Sequence, residues 1–222
     1  PQGRFKKKDQ DLVTFLRDEC GWDAKTAGMV KAIYNGNMFM DQTRGIVYIG
    51  EVQELINDAY EQVMKQGPVA REPVIRVKVI VKDCKLHEDA IHRGPAQVVP
   101  AIREAIKGSM NSGNAVIYEP LQVLQIDIPA DHMSEISKLV QNKRGQLLTV
   151  KQEGNFMSIR AKLPVAESLG LASELRSATS GRGSYFLVDQ MYEKVPSELQ
   201  PKVAKRIRER KGLKVEESSP AE

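Results

Sequence analysis

The sequence predicts an α+β protein built from two α/β-sandwich domains and a basic C-terminal helix. Across residues 121–193, the hydrophobic periodicity gives the order strand–helix–strand–strand–helix–strand, which is the ferredoxin-like βαββαβ motif. In the first half, an amphipathic helix at 51–66 precedes an alternating strand at 74–82 and an apolar periodic segment at 98–110. The small polar stretch SMNSGN at 109–114 is predicted to be the domain boundary.

Composition is that of an ordinary globular protein. The chain has 222 residues, enough for one large or two medium domains, with 41% hydrophobic and 28% charged residues. Its formal net charge of +4 is too small a bias to indicate nucleic-acid binding unless the charges cluster. Cys20 and Cys84 form no CxxC pair, which favours a reducing, cytoplasmic setting. No apolar run is long enough to span a membrane, no signal peptide is recognisable, and the start at Pro1 suggests a fragment or processed product.

Two helices are predicted in the first 66 residues, one from a short amphipathic pattern and one from a long and regular pattern. A basic run at 4–8 is expected to be a solvated terminus, and Leu12, Phe15 and Leu16 are spaced for a short amphipathic helix. Residues 21–50 are predicted to be irregular and to end in a strand at 46–49. The helix at 51–66 ends at Gly67-Pro68. Its apolar face consists of Val52, Leu55, Ile56, Ala59 and Val63.

Residues 74–82 alternate between apolar and basic side chains, which predicts a strand with one buried and one basic face. The apolar set is Ile75, Val77, Val79 and Val81, and the basic set is Arg76, Lys78 and Lys82. A helix then repeats an apolar residue every four positions, at Val98, Ile102, Ile106 and Met110. Because a proline is tolerated only in the first turn of a helix, Pro100 places the expected helix start near Val99.

The second half is predicted in more detail. Strands are expected at 121–129, 146–152, 155–163 and 184–193, and helices at 131–142 and 165–178. Pro201 suits the first turn of a last helix that runs to about 210. Its basic residues are Lys202, Lys205, Arg206, Arg208, Arg210 and Lys211. The terminal VEESSPAE is expected to be disordered.

The segment LHEDAIHRGPAQ at 86–97, here called the histidine loop, lies between the predicted strand and helix and holds two of the chain's three histidines. Zinc uses ligands of the kinds present here: Cys84, His87, Glu88 and His92. However, His87 and His92 are five residues apart, about 140° around a helix, so they do not form an HExxH site. A metal site is possible only if the loop brings His87 and His92 together.

Two other chemistries fit the histidine loop. His92 with Asp89 or Glu88 could act in acid–base catalysis, although no nucleophile, oxyanion hole or cofactor motif accompanies them. Alternatively, a helix N-terminus, the Arg93 guanidinium and a stacking His92 suit an RNA backbone. In that case, neutralising Arg93 should weaken binding and lower its salt dependence. The remaining alternative is a polar loop without a partner.

Motifs for nucleotide hydrolysis are missing from the sequence. There is no GxxxxGK[ST], and QNKR at 141–144 lacks the aspartate of a guanine-reading NKxD. The chain alone is therefore not expected to bind GTP or to be an enzyme.

The histidine loop resembles LHADAIHRGGGQ of elongation factor 2, the ribosomal translocase family of archaea and eukaryotes, and GPA in place of GGG is similar to the archaeal form. The resemblance extends to the segment from Trp22 through GIVYIGEVQELINDAYEQVMKQGP, and then to EPLQVLQIDIP, NKRGQLL, AKLPVAESLGLASELRSATSGRGSY and RIRERKGLK, in family order. Essentially the whole chain is covered.

The resemblance implies a domain arrangement and a modified residue. Residues 1–114 would be domain IV, a ribosomal-protein-like βα domain with the histidine loop at its tip, and 115–194 the ferredoxin-like domain V. Residues 195–222 would hold a helix that packs on domain IV, then a tail. The family's diphthamide histidine corresponds to His92 and not to His87. No cofactor is implied here, since GTP and Mg²⁺ belong to the absent GTPase domain.

The resemblance also implies partners. In the family the loop enters the decoding centre of the small ribosomal subunit and helps tRNA and mRNA move by one codon. Ribosome, tRNA, mRNA and the diphthamide-synthesis enzymes would then be partners of a monomer. The implied RNA contacts in the loop are His87, Asp89, His92, Arg93, Gly94 and Gln97. Further candidates, toward large-subunit RNA, are Arg144, Arg176 and Arg182.

Within the loop, Leu86 and Ile91 are expected to anchor to the core, Glu88 and Asp89 to shape the turn, and His87 to be structural.

Three alternatives to the translocase remain. One is a paralogous translocase-like GTPase in splicing or ribosome assembly, which is expected to lack the full IHRG sequence. The others are a free-standing RNA-binding module and a zinc enzyme.

Overall fold

A computed structural model describes residues 1–5 and 9–214, and the chain divides into two compact units. Unit 1 comprises residues 1–115 and the segment from 201 onward, and unit 2 comprises residues 116–200. Each unit contains a four-stranded sheet with helices, so the predicted α+β class is confirmed. The predicted disordered tail at 215–222, and Lys6 to Lys8 of the basic run, lie outside the described residues. No helix in the described part of the chain is long and apolar enough to cross a membrane.

Unit 1 has a mixed sheet in the order β1-β2-β3-β4, in which only the β3–β4 pair is parallel. The strands are β1 (Gly3–Arg4), β2 (Val30–Tyr34), β3 (Asn37–Asp41) and β4 (Lys78–Val81). The helices are α1 (Gln10–Asp18), α2 (Ala24–Ala27), α3 (Ile49–Lys65) and α4 (Pro95–Ser112). Because parallel strands need a crossover, α3 connects β3 to β4 across one face of the sheet.

Both faces of this sheet are buried, because successive strand residues point to opposite sides. Phe39 and Val79 pack with α3 and α4, whereas Met40 and Ile80 pack with α1 and α2. The predicted helical face of α3 is confirmed, with Val52, Ile56, Ala59 and Val63 buried. The β4 strand is thus held firmly from both sides, immediately before the histidine loop.

Residues 21–50 differ from the prediction. A hairpin at Val30–Asp41 turns at Asn35 and Gly36, which have φ of 47° and 71°. These left-handed values suit an Asn-Gly hairpin turn. The predicted strand at 46–49 is wrong, because Ile49 is the first residue of α3.

The predicted strand at 74–82 is correct only over Lys78–Val81. Arg76 has φ of 56°, which interrupts an extended strand. The predicted basic face is interrupted, because Arg76, Lys78 and Lys82 are exposed but Ile80 between them packs with α1. Lys78 lies over the Trp22 ring, and Lys82 donates to the side chain of Gln42.

Helix α4 begins earlier than predicted, at Pro95 rather than near Val99. Pro95 occupies the first turn after Gly94, where its missing N–H costs no helical hydrogen bond. Pro100 therefore lies inside the helix, contrary to the prediction. The four-residue apolar repeat is correct, since Val98 and Ile106 are buried against α3.

Unit 2 has the predicted ferredoxin-like topology, with four antiparallel strands in the order β6-β7-β5-β8. The strands are β5 (Tyr118–Pro129), β6 (Gln146–Glu153), β7 (Phe156–Pro164) and β8 (Ser184–Lys194). The helices are α5 (Met133–Asn142) and α6 (Leu171–Ala178). Both helices cover one sheet face. The core residues are Leu124, Ile126, Ile128, Ile136, Val140, Ile159, Ala161, Leu163, Leu171 and Leu175.

The last helix, α7 (Gln200–Arg210), starts at the boundary and continues within unit 1. The Arg208 Nε donates to the Val69 carbonyl at 2.9 Å. Lys211 donates to the Arg71 carbonyl at 2.7 Å and pairs with Glu72 at 2.9 Å. Basic side chains near the end of α7 therefore attach it to the segment that follows α3.

Candidate functional site

The histidine loop is a short, locally ordered connection between β4 and α4. A single turn of 3-10 helix spans Ala90–His92, and the Asp89 carboxylate accepts a hydrogen bond from the Ile91 N–H at 3.1 Å. Gly94 then precedes α4 in an extended conformation. Asp89 thus caps a turn, as expected of a short polar side chain that bonds its own backbone.

His87 and His92 lie together on the exposed side of the loop. Their ring centroids are 4.4 Å apart at an interplanar angle of 68°, an edge-to-face contact. The Nδ1 of His87 accepts a hydrogen bond from the Asp89 N–H at 3.0 Å. An imidazole that accepts at Nδ1 carries its proton at Nε2, so His87 is held in one tautomer beside an exposed His92.

Arg93 is placed differently from the prediction that its guanidinium contacts phosphate. The side chain is only 7% exposed. Its Nη1 donates to the carbonyls of His87 and Glu88 at 2.8 and 2.6 Å, and its Nη2 pairs with Glu51 at 2.8 Å. These donors already bind groups of the protein itself, which favours an internal role for Arg93.

The guanidinium of Arg93 also stacks on Tyr48, whose ring centroid is 4.0 Å from the Arg93 Cζ. Tyr48 has φ of 69° and directly precedes α3, and Glu51 lies in the first turn of that helix. We call Arg93, Tyr48 and Glu51 the arginine clamp. It fixes the histidine loop to the start of α3, through an ion pair and a cation–π contact.

The two expected apolar anchors behave differently. Leu86 packs against the core formed by α3 and α4, but Ile91 is 73% exposed, so the prediction for Ile91 is wrong. Ile91 directly precedes His92 in the capped turn, and its side chain faces solvent. Gln97 is also exposed, in the first turn of α4.

Metal and acid–base chemistry find little support in this geometry. Among the described residues, no group of three or more His, Cys, Asp or Glu side chains could hold a metal ion. Burial, together with Asp83 and Asp41, raises the pKa of the Cys84 thiol and so disfavours a thiolate ligand. In the part of the chain described, the hydrogen bonds of Asp89 serve the turn, and no carboxylate contacts the His92 ring.

The predicted RNA contacts in unit 2 fall into different environments. Arg144 forms a bidentate ion pair with Glu119, so it serves the fold and does not offer a free guanidinium. Arg182 donates to the His132 ring at 2.8 Å but stays 55% exposed. Arg176 is exposed on α6. The ion pair with Glu119 therefore favours a structural role for Arg144.

Two family profiles match the chain, in the order of its two units. The profile described as "Elongation factor G, domain IV" matches residues 1–114, and "Elongation factor G C-terminus" matches residues 116–203. The chain belongs to the elongation factor G domain IV family. Its second half is correspondingly similar to the C-terminal region of the same factors, which agrees with the ferredoxin-like topology of unit 2.

Curated relatives give the same result. The chain is 48% identical to elongation factor 2 of Nanoarchaeum equitans and 46% identical to that of Pyrococcus horikoshii, each over 96% of this chain. It is 44% identical to elongation factor 2 of Thermococcus kodakarensis over the same share. The chain spans 28% to 29% of the length of these relatives. The resemblance to the C-terminal part of archaeal elongation factor 2 is thus confirmed.

Sequence reasoning missed the partners of Arg93. Glu51 precedes it by 42 positions, and no local motif links the two. Tyr48 gave no signal either, because its role depends on a left-handed backbone that the sequence does not specify. The loop itself was recognisable, but its attachment to the domain was not.

Proposed function

We propose that this chain forms the ribosome-contacting C-terminal part of a translocase of the elongation factor 2 type. In this proposal the histidine loop enters the decoding centre of the small ribosomal subunit, where it promotes the movement of tRNA and mRNA. GTP and Mg²⁺ act in a separate GTPase domain, and the protein works in the cytoplasm as a monomer.

The observation that carries this proposal is the exposed His92 on an ordered turn of a domain IV family member. The turn is capped by Asp89 and fixed by the arginine clamp, so the ring is presented with little conformational freedom. A preorganised side chain loses less entropy when it binds than a mobile one. Exposed imidazoles can stack on bases or bond to their edges, which suits a decoding-centre contact.

We assign different roles to the predicted loop residues. His92 and His87 contact RNA, and His92 is the diphthamide site, so diphthamide-synthesis enzymes are partners. Asp89, Arg93 and Gly94 shape the loop, and Gln97 lies where it can make an additional polar contact. In unit 2, Arg176 and Arg182 are the candidates for large-subunit RNA.

The test uses the full-length protein that carries this chain, in a translocation assay with ribosomes, tRNA and mRNA. We expect His92→Ala to slow the GTP-dependent three-nucleotide shift of the mRNA by about three- to tenfold. That range corresponds to the loss of one polar contact or stack, about 1 kcal/mol. Toeprinting of the mRNA position against time measures the rate.

Gln190→Ala serves as the control, because it removes an exposed polar side chain from β8 of unit 2 and leaves both the loop and Arg182 intact. The GTP hydrolysis rate on ribosomes should be unchanged in the His92 variant. Equal shift rates for wild type and His92→Ala would count against the proposed role of the loop.

A second prediction concerns covalent modification. In protein from the native source, we expect the tryptic peptide of residues 86–93 to carry the added mass of diphthamide on His92 and none on His87. Fragment-ion mass spectrometry separates the two sites. An unmodified His92, in a host that modifies its other elongation factors, would favour the paralogous GTPase instead.

A further inference from the structure

The histidine loop carries too little free positive charge to bind phosphate by itself. The segment 83–93, which begins just before the loop, has three exposed carboxylates, Asp83, Glu88 and Asp89, and two cations, Lys85 and Arg93. Arg93 is neutralised by Glu51 in the arginine clamp. If the loop approaches RNA, a cation must therefore come from a neighbouring element.

The segment 42–48, here called the adjacent loop, lies beside the histidine loop. Its first residue, Gln42, donates its N–H to the Val81 carbonyl at 2.9 Å, at the end of β4. Its last residue, Tyr48, stacks under Arg93. The adjacent loop is thus held at one end to the strand that precedes the histidine loop and at the other end to Arg93 within it, so we infer that the two loops lie side by side.

Arg44 is the one arginine of the adjacent loop, and its side chain is exposed. Thr43 next to it is fixed by two hydrogen bonds to Asp41, at 2.9 and 2.7 Å, so the backbone that carries Arg44 is restrained. Within residues 1–5 and 9–214, no acid or carbonyl bonds to the Arg44 guanidinium. Lys85 is likewise exposed, and no partner for it occurs among the residues described.

Two exposed apolar side chains accompany these cations. Val47 of the adjacent loop is 64% exposed, and Ile91 of the histidine loop is 73% exposed. Cations mixed with apolar side chains and imidazoles are suited to an RNA surface, which offers phosphates together with ribose and base faces. An acidic peptide is less suited to this surface, because it offers anions to the two cations but no base or ribose faces to the imidazoles and exposed apolar side chains.

We propose that Arg44 of the adjacent loop and Lys85, which directly precedes the histidine loop, supply the phosphate contacts of the surface that carries His92, and that Arg93 supplies none. The proposal rests on the proposed function, because it names the groups by which the same surface grips decoding-site RNA. It makes the adjacent loop a second RNA-binding element of unit 1. Arg44 binds through a planar guanidinium that matches two phosphate oxygens, and Lys85 through a point charge.

The test measures binding of the full chain to small ribosomal subunits programmed with mRNA and tRNA, at KCl concentrations from about 50 to 300 mM. Each phosphate contact adds about 0.7 to 0.9 to the slope of log affinity against log salt concentration. We expect Arg44→Ala and Lys85→Ala each to lower the slope by that amount, and the double variant by the sum. Arg93→Ala should weaken binding with the slope unchanged.

Controls separate a local contact from a general change of charge. Arg160→Ala and Lys25→Ala remove exposed cations that lie on β7 and α2, and they should leave the slope at the wild-type value. Arg44→Lys should restore the slope that Arg44→Ala loses. Because Arg44 and Lys85 have no described partner, their variants should keep the wild-type midpoint of urea denaturation.

The outcomes distinguish this proposal from the proposed function. Wild-type binding with a slope that neither Arg44→Ala nor Lys85→Ala changes would overturn the assignment and leave the function standing. A slope lowered by Arg93→Ala alone would restore the phosphate role of Arg93. If the wild-type chain does not bind small subunits and His92→Ala does not affect translocation, both proposals fail.

Discussion

Replacing Arg93 with alanine is expected to release the histidine loop from α3 and to lower the free energy of unfolding by about 2–3 kcal/mol. The change deletes two hydrogen bonds to the His87 and Glu88 carbonyls and the stack on Tyr48. Hydrogen bonds from a charged donor contribute about 1.5–3 kcal/mol, and a buried guanidinium is poorly replaced by water. Urea denaturation of the full chain measures the loss.

The same variant should show a local effect. We expect backbone amides of residues 87–93 to exchange with solvent about tenfold faster or more, because opening of the loop no longer breaks the clamp. Amides in β7 of unit 2 serve as the internal control. Faster exchange over all of unit 1, at the rate of global unfolding, would indicate lost stability without a specific effect on the loop.

Glu51→Gln is the matched control for the ion pair. The Glu51 side chain is 56% exposed, so its interaction with Arg93 is screened by water and contributes at most about 1 kcal/mol. We therefore expect a much smaller effect than for Arg93→Ala. Equal destabilisation by the two variants would contradict the view that the carbonyl contacts and the Tyr48 stack dominate the clamp.

A helix or strand was predicted correctly when residues close to it in the sequence determine its structure. In unit 2, the strands and helices follow from periodicity within about ten residues, as in β5, where Leu124, Ile126 and Ile128 all face the helices. The helix predicted at 165–178 was too long, because α6 begins at Leu171 and Leu169 is 82% exposed. Local pattern was sufficient there because one face of every element is buried and the other is not. The predicted topology was therefore correct.

Unit 1 was predicted less well because its sheet is buried on both faces. Val79 and Ile80 are neighbours in β4 yet pack in different cores, so apolar alternation no longer marks an inside and an outside. The residues at 46–49 are apolar without forming a strand, because Gly45 and Tyr48 have φ of 67° and 69°. The sign of the backbone angle φ cannot be predicted from a run of apolar residues.

The site shows the same limit. The identity of the histidine loop was evident from its own residues, but the role of Arg93 depends on an acid 42 positions away. An arginine next to a helix N-terminus is equally consistent with a phosphate contact and with an internal clamp. The carboxylates at 83, 88 and 89 were visible in the sequence, and counting them would have indicated that the loop needs another source of charge.

Replacing Gly145 with alanine is expected to destabilise unit 2 by about 2–3 kcal/mol, through overpacking. A Cβ at this position would lie 2.7 Å from the Val140 Cγ1, 2.8 Å from the Val140 carbonyl oxygen and 3.1 Å from the Leu163 Cβ. Val140 and Leu163 are fully buried, and the carbonyl belongs to the backbone of α5, so none of the three can move easily. Urea denaturation followed by circular dichroism measures the change.

The close approach follows from how α5 ends. The Gly145 N–H donates to the Val140 carbonyl at 2.8 Å and the Arg144 N–H to the Gln141 carbonyl at 3.0 Å, which is the Schellman arrangement. Arg144 takes the left-handed position, with φ of 57°, where glycine is usual. The bidentate contact of Arg144 with Glu119 offsets that strain. Glycine is required at the next position, Gly145, because the chain packs closely against α5 there.

Gly154→Ala separates this steric effect from backbone strain. Gly154 has φ of 63° and open space around it, so alanine there should lower the free energy of unfolding by only about 1 kcal/mol.

A double-mutant cycle tests the contact between residue 145 and Val140 itself. Val140→Ala removes the methyl group nearest the added Cβ, so the two changes together should destabilise unit 2 by about 1 kcal/mol less than their sum. Additive effects would place the cost of Gly145→Ala in the carbonyl contact instead of the side-chain contact.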